Sequence, residues 1–240
     1  MLASFLTAEW RKLAMANYVV PADLLQPYLP KHTELDFFNG NCYVSLVGFL
    51  FDKVRLKGIP VPFHTSFEEV NLRFYVRYCD EHGQWKRGTT FIKEIVPKYA
   101  VSWTANLLYH EPYVTMPMRY HWRNTNDELT VGYKWKHKGW NRFEVVAHNQ
   151  AIGMPVGSKE EFITEHYWGY TAYSPSITSE YGVEHPRWQV YPVKSYEIDV
   201  DFNAIYGTDF GFLTSQKPDS VLLAEGSAIQ VRTARKLPNL

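Results

Sequence analysis

The segment FEEVNLRFYVRY, residues Phe67–Tyr78, decides the fold class. Val70, Leu72, Phe74 and Val76 fall on one side of an extended chain. Glu69, Asn71, Arg73, Tyr75 and Arg77 fall on the other, which is the period-two signature of a strand. Cys79–Gly88 is polar and turn-like, and Thr89–Val96 returns as a second strand, so the two form a hairpin. Pro97 stops it, and Lys98–His110 reads as a helix of about three turns with Ala100, Val101, Trp103, Ala105, Leu107 and Leu108 as its apolar positions.

Working outward, Lys12–Val20 is strand-like and ends at Pro21, which opens a short helix over Ala22–Tyr28. Asn39-Gly40 turns the chain into a strand over Asn41–Phe51, and Lys57–Phe63, with Gly58, Pro60 and Pro62, is a loop. Leu129–Lys138 alternates Leu129, Val131, Tyr133 and Trp135 against Lys134, Lys136 and Lys138, a solvated side that discourages edge pairing. Gly139 leads into a strand over Arg142–Ile152. Ser158-Lys159-Glu160-Glu161 is a capping-box sequence and predicts a helix reaching about Trp168. Strands at Val190–Val200 and Val221–Thr233, with a helical turn at Asn203–Tyr206, complete a single domain over residues 1–240. The fold class is mainly antiparallel β (α+β) with three or four helices.

Composition narrows the function. The 25 Lys+Arg balance 25 Asp+Glu, which argues against a nucleic-acid binder working through a basic face. No stretch reaches the ~20 apolar residues of a membrane-spanning helix. The opening MLASFLTAEWRK carries Glu9 before any long apolar run, unlike a signal peptide. Two cysteines cannot staple a chain of this length, so a reducing, cytoplasmic setting is expected, with Cys42 and Cys79 as small hydrophobes. The 17 Tyr, 14 Phe and 8 Trp suit strands and the walls of an organic-ligand cavity. None of the nine histidines is two or four residues from another, so no local metal-ligand pair exists, and neither a metal nor a cofactor is expected. Glu161 and Glu165 are surface charges, since no His follows either at the di-iron helix spacing.

Glu69, Asn71 and Arg73 place a carboxylate, an amide and a guanidinium on one strand face. Turned into a closed hollow, that face is a polar floor for a carbonyl or carboxylate ligand. Turned to water, it is a set of cross-strand ion pairs, and the sequence leaves both readings open. Lys93, on the paired strand, is a candidate ligand-binding residue or a salt-bridge partner for Glu69 or Glu94. In His185-Pro186-Arg187-Trp188, Trp188 is a candidate pocket cap or a packed corner.

Several stretches in order resemble the YqjF-like proteins, a domain family of unknown function. They are Leu29-Pro30 and Leu35 after Asn17–Val20, then Tyr43–Phe49, Phe67–Val76, Leu108-Tyr109 with Pro112-Tyr113, Phe162–Tyr167, and His185-Pro186 with Trp188. His166 stands where the family pattern implies arginine. That family is similar in turn to acetoacetate decarboxylases, a likeness that implies an antiparallel β-barrel or cone around a ligand cavity. It also implies a functional glutamate on the strand of Phe67–Val76, best matched by Glu69. The Schiff-base lysine and its neighbour lie in a Gly-x-Pro-Lys-Lys segment of those enzymes. The corresponding stretch here reads His110-Glu111-Pro112-Tyr113-Val114, with both amines replaced.

The expectation is a cavity for a small organic ligand, carboxylate-bearing or aromatic, with no nucleic acid or membrane as partner and a homo-oligomer possible. If the protein catalyses a reaction, Glu69 is the acid/base, Arg73 the anion clamp and Tyr113 the hydrogen-bond donor, with Asn71, Lys93 and Trp188 binding the ligand. A binding protein without turnover and an oligomeric scaffold are the other readings.

Overall fold

The computed structural model describes residues 4–237, with residues 107–109 as backbone only. In chain order the main strands are β1 (Ser4–Val20), β2 (Cys42–Leu56), β3 (Phe67–Cys79), β4 (Trp85–Val96), β5 (Tyr113–Thr115), β6 (Met118–Asn124) and β7 (Glu128–His137). They continue as β8 (Gly139–His148), β9 (Trp168–Ser174), β10 (Ile177–Glu184), β11 (Gln189–Tyr191), β12 (Val193–Asp199) and β13 (Ser220–Arg232). The α-helices are α1 (Ala22–Leu25), α2 (Tyr99–Tyr109), α3 (Lys159–Thr164) and α4 (Phe202–Tyr206).

The large sheet runs β13-β1-β2-β3-β4-β9-β10 and returns to β13, so it closes on itself. Two of its seams are short. Strand β4 meets β9 in parallel through Gly88↔Trp168 and Thr89↔Gly169, and β10 meets β13 through Val183↔Val231 and Glu184↔Gln230. The long antiparallel seams hold one side together while the short ones splay, giving an irregular cone rather than a regular barrel. A second, four-stranded sheet, β12-β8-β7-β6, lies outside.

This second sheet explains the alternation of β3. Val70, Leu72, Phe74 and Val76 point out of the cone and are fully buried with Val131, Tyr133, Trp135, Phe143 and Val145 of β7 and β8. Burying each such side chain contributes on the order of 1.5–3 kcal/mol, so the apolar side of β3 is committed to the inter-sheet core. Its opposite side faces inward. Gly48 on β2 permits the contact: a Cβ there would sit 2.6 Å from Cδ2 of Tyr133.

The expected turns, the Phe67–Tyr78 hairpin and the helices at Ala22 and Lys98 are present within a few residues. The side-chain positions proposed at Leu107 and Leu108 lie outside the described residues. Three expectations need correction. The Ser158 helix ends at Thr164, because Tyr167 N is taken by Arg87 O and Trp168 joins the large sheet. Its cap is half a capping box: Ser158 accepts from Glu161 N, but the Glu161 carboxylate bonds Gly157 N. The Val190–Val200 strand is two pieces in different sheets, β11 and β12, divided by Pro192. Strands β6, β9 and β10 carried too many polar and aromatic residues for an alternation to be read.

Candidate functional site

The cone encloses a cavity of about 240 Å³. Glu69, Asn71 and Arg73 line it, only 2%, 1% and 8% exposed. The solvent-facing reading of this strand side is therefore incorrect: covering the apolar side with a second sheet leaves the polar side as interior. Glu69 and its neighbours form a connected set. Asn71 Nδ2 donates to Glu69 Oε1 at 2.8 Å and Tyr113 Oη donates to Glu69 Oε2 at 2.9 Å.

Tyr113 reaches this position because β5 pairs in parallel with β4, Tyr113 beside Glu94. The Asn106 side chain on α2 clamps the Tyr113 backbone at both ends, donating to its carbonyl at 3.1 Å and accepting from its N–H at 3.0 Å. Glu69 and Tyr113 thus meet as expected from the sequence. Arg73 shares their cavity without bonding to either.

Lys93 is elsewhere. Pairing of β3 with β4 slips between Leu72 and Arg73: Arg73 faces Phe91, but Leu72 faces Lys93 and Asn71 faces Glu94. The extra residue, Ile92, inverts the alternation of β4 after Phe91. Lys93 therefore leaves the inner side and its ammonium bonds the carbonyl of Ile205, and it pairs with neither Glu69 nor Glu94. The same bulge turns Glu94 inward, where it is 3% exposed and lines the cavity. Among the described lining residues there is no lysine.

Sequence reasoning noted His166 only as a departure from the family pattern and gave no role to it or to Glu111, two further lining groups. Glu111 is 5% exposed, and its Oε1 accepts from Thr171 Oγ1 at 2.6 Å and from Tyr181 Oη at 2.8 Å. Gly169 makes this possible, since a Cβ there would sit 2.1 Å from Cζ of Tyr181. His166 is the other, 7% exposed at the end of the α3 segment. Its Nε2 lies 3.1 Å from Asp36 Oδ2, which also takes Arg87 Nε at 2.6 Å. These groups come from distant segments, so no local spacing could have announced them.

Three buried carboxyl groups in one low-dielectric space resist ionisation together. Burial pushes Glu69 up to about 7, against the lowering effect of Asn71, Tyr113 and Arg73. Burial likewise takes Glu111 to about 7, opposed by its bonds from Thr171 and Tyr181. Glu94 is raised well above the carboxylate range by burial and by the charges of Glu111 and Glu69. Burial, reinforced by Glu69 and Glu94, keeps the Tyr113 phenol protonated. Glu69 and Glu111 thus titrate near neutrality, a condition suited to giving and taking protons, while Glu94 holds its proton to higher pH than an ordinary carboxyl.

Arg73 is the counterpart. Its Nη2 contacts Met15 Sδ at 3.9 Å and Ile163 O at 3.4 Å, its Nε has no partner, and no carboxylate stands within ion-pair distance among the described residues. The rest of the wall is largely aromatic. Trp10 packs edge-on to Phe49, Phe51 and Trp188, and Trp188 stacks on His185 at 4.2 Å with Nε1 donating to Ser227 Oγ. Trp188 therefore lines the cavity and is also held as a packed corner. No group of three potential metal ligands occurs among the described residues, and no described helix is long and apolar enough to cross a membrane.

Comparison with known proteins agrees with this geometry at the level of fold. The acetoacetate decarboxylase-like enzyme of Sphingomonas wittichii RW1 superposes with a TM-score of 0.68 at 12% identity, over 99% of this chain and 95% of that one. Acetoacetate decarboxylase of Legionella pneumophila gives 0.65 at 12% identity, over 99% and 88%. The enduracididine biosynthesis enzyme MppR, solved with pyruvate, gives 0.67 at 12% identity, over 100% and 93%. In sequence, the uncharacterized protein YqjF of Bacillus subtilis strain 168 is 25% identical over 218 residues, 89% of this chain and 84% of that protein. The profile of DUF2071, described as an uncharacterized conserved protein, matches residues 7–228, and the chain belongs to that family.

Proposed function

We propose that the cone binds a small carboxylate-bearing organic molecule, its carboxylate on Arg73 and its apolar or aromatic body along Trp10, Phe49 and Trp188. The observation that carries this reading is Arg73 itself: a buried guanidinium left without a carboxylate partner in a cavity that holds three glutamates. A buried cation is costly until paired, so an incoming anion is favoured by both charge and geometry. That a structural neighbour was solved with pyruvate accords with a ligand of this class.

Glu69 supports chemistry beyond binding. A carbonyl beside the carboxylate would lie against Glu69 and Tyr113, where Glu69 removes or returns a proton next to the carbonyl and the Tyr113 hydroxyl, turning from Glu69 Oε2 as that carboxyl takes the proton, donates to the developing oxyanion. Asn71 holds the Glu69 carboxyl in place. An imine route is not favoured, because Tyr113 occupies the stretch matching the decarboxylase lysine pair and Lys93 is bonded on the far side of β4. Two free cysteines suit the reducing cytoplasm.

The test uses phenylacetate against phenylacetamide in calorimetric titration, and phenylpyruvate in D₂O followed by NMR. Phenylacetate should bind roughly ten- to a hundredfold more tightly than the neutral amide, as charge-assisted bonds to Arg73 require. Deuterium should enter C3 of phenylpyruvate faster than in buffer, and Glu69→Gln should remove that excess. Equal affinity for acid and amide refutes the carboxylate seat. Excess exchange surviving in Glu69→Gln refutes the role of Glu69, and binding with no excess exchange marks a carrier rather than an enzyme.

A further inference from the structure

We infer that Nδ1 of His166 is a second polar anchor in the cavity and selects ligands carrying a hydroxyl or N–H donor next to the carboxylate, such as 2-hydroxy acids. This assignment rests on the carboxylate reading above and names the substrate class more narrowly. The imidazole is buried, its side chain 1% exposed, and it lines the same cavity as Arg73. Its two nitrogens have different surroundings. Nε2 lies 3.1 Å from Asp36 Oδ2 and 3.3 Å from Arg87 Nη2, whereas Nδ1 is buried without a partner.

The tautomer follows from charge. Asp36 is fixed by Arg87 Nε at 2.6 Å; although burial alone would raise it, the bonds from His166 and Arg87 hold its carboxyl below the usual range. An ionised carboxylate only accepts and a guanidinium only donates; the carboxylate is the nearer of the two to Nε2, and Arg87 already has Asp36 as its acceptor, so the proton of a neutral imidazole belongs on Nε2 and the lone pair on Nδ1. The imidazole is neutral because burial takes it down to about 4, with Arg87 and Arg73 adding to the effect and Asp36 opposing it. Nδ1 is therefore an acceptor, and an acceptor buried without a donor is satisfied only by what enters the cavity.

His166 and Arg73 also share a support. The Tyr75 ring lies 4.6 Å from the imidazole and 5.7 Å from the guanidinium carbon of Arg73, and Tyr75 Oη is tied to Ser45 Oγ at 2.7 Å. One rigid phenol thus positions a cation for the carboxylate and an acceptor for a neighbouring donor.

Calorimetric titration of the full chain with phenylacetate and with each enantiomer of mandelate, which add only the hydroxyl, tests the assignment. One enantiomer of mandelate should bind roughly three- to tenfold more tightly than phenylacetate, the effect of one net hydrogen bond. His166→Gln keeps an amide donor toward Asp36 and removes the acceptor at Nδ1; it should bring the ratio of mandelate to phenylacetate affinity to about one. Should that variant not fold, ¹⁵N spectra of wild-type histidine serve: the His166 Nδ1 resonance should move with mandelate and not with phenylacetate. Phenylacetate binding with no preference for mandelate, a preference that survives His166→Gln, or an Nδ1 resonance that ignores mandelate overturns the role of His166 alone. Binding of neither acid refutes the carboxylate seat and this assignment together.

Discussion

Replacing Glu69 by Gln removes a charge from the centre of the site and leaves its shape intact, so its effect on stability should depend on pH. In the unfolded chain this carboxyl ionises near 4.5, and in the folded protein near 7. Below 4.5 it is neutral in both states and contributes nothing to the difference. Between 4.5 and 7 the folded state holds the proton more tightly, so stability falls as pH rises, and above 7 the loss is complete. At 1.36 kcal/mol for each tenfold change in proton affinity, the full loss is about 3 kcal/mol.

Glu69→Gln avoids it. The amide carbonyl can face Asn71 Nδ2 and the amide nitrogen the Tyr113 oxygen, so the two contacts of 2.8 and 2.9 Å persist in altered polarity. Removing the charge also eases ionisation of Glu94 and Glu111, which face it from β4 and from the turn before β5, so the gain is shared among the three. Arg73, whose charge favours ionised Glu69, works in the opposite sense. The assay is thermal unfolding of wild type and variant from pH 4.5 to 8.5. The midpoint difference should grow with pH, reaching roughly 6–12 °C in favour of the variant at pH 8 relative to pH 4.5, as a chain of this size shifts by about 2–4 °C per kcal/mol. A difference independent of pH would refute the reasoning.

Three further outcomes follow from the same geometry. Arg73→Met removes a buried cation that has no carboxylate partner, so it should unfold no lower than wild type while affinity for phenylacetate falls roughly ten- to a hundredfold; calorimetry and thermal unfolding on one preparation check both. Lys93→Met should leave phenylacetate affinity unchanged and cost about 1 kcal/mol through the lost bond to Ile205 O, and borohydride after pyruvate should give no mass adduct on the wild-type chain. Gly169→Ala places a Cβ 2.1 Å from Tyr181 Cζ, so it should displace the ring from Glu111 and cost about 1–3 kcal/mol in denaturant unfolding, whereas Gly153→Ala, with open space around it and no positive φ, should show no such loss.

Much of this architecture is legible residue by residue. Pro21, Asn39-Gly40 and Pro97 punctuate the chain where the elements change, and the alternations of β3 and β7 place Val70, Leu72, Tyr133 and Trp135 on common sides that are all fully buried. Strands β9 and β10 escaped because they carry polar and aromatic residues on both sides: Tyr181 lines the cavity, while its neighbour Glu180 on the opposite side accepts from Tyr170 Oη. Local alternation is blurred wherever the interior of a sheet is itself polar. The roles of His166 and Glu111 could not be read for a related reason: their partners, Asp36 and Tyr181, are 130 and 70 residues away along the chain.

The sequence by itself determined that Glu69, Asn71 and Arg73 share one side of a strand, because the period of an extended chain allows nothing else. It could not determine where that side points. A second sheet covering Val70, Leu72, Phe74 and Val76 decided it, since the apolar side takes the dry contact between sheets and the ring of strands closes around what remains. Tertiary pairing also decided between Lys93 and Glu94. One extra residue at Ile92 exchanged an amine for a carboxyl at the cavity wall, and a bulge belongs to the register between two strands rather than to either strand alone.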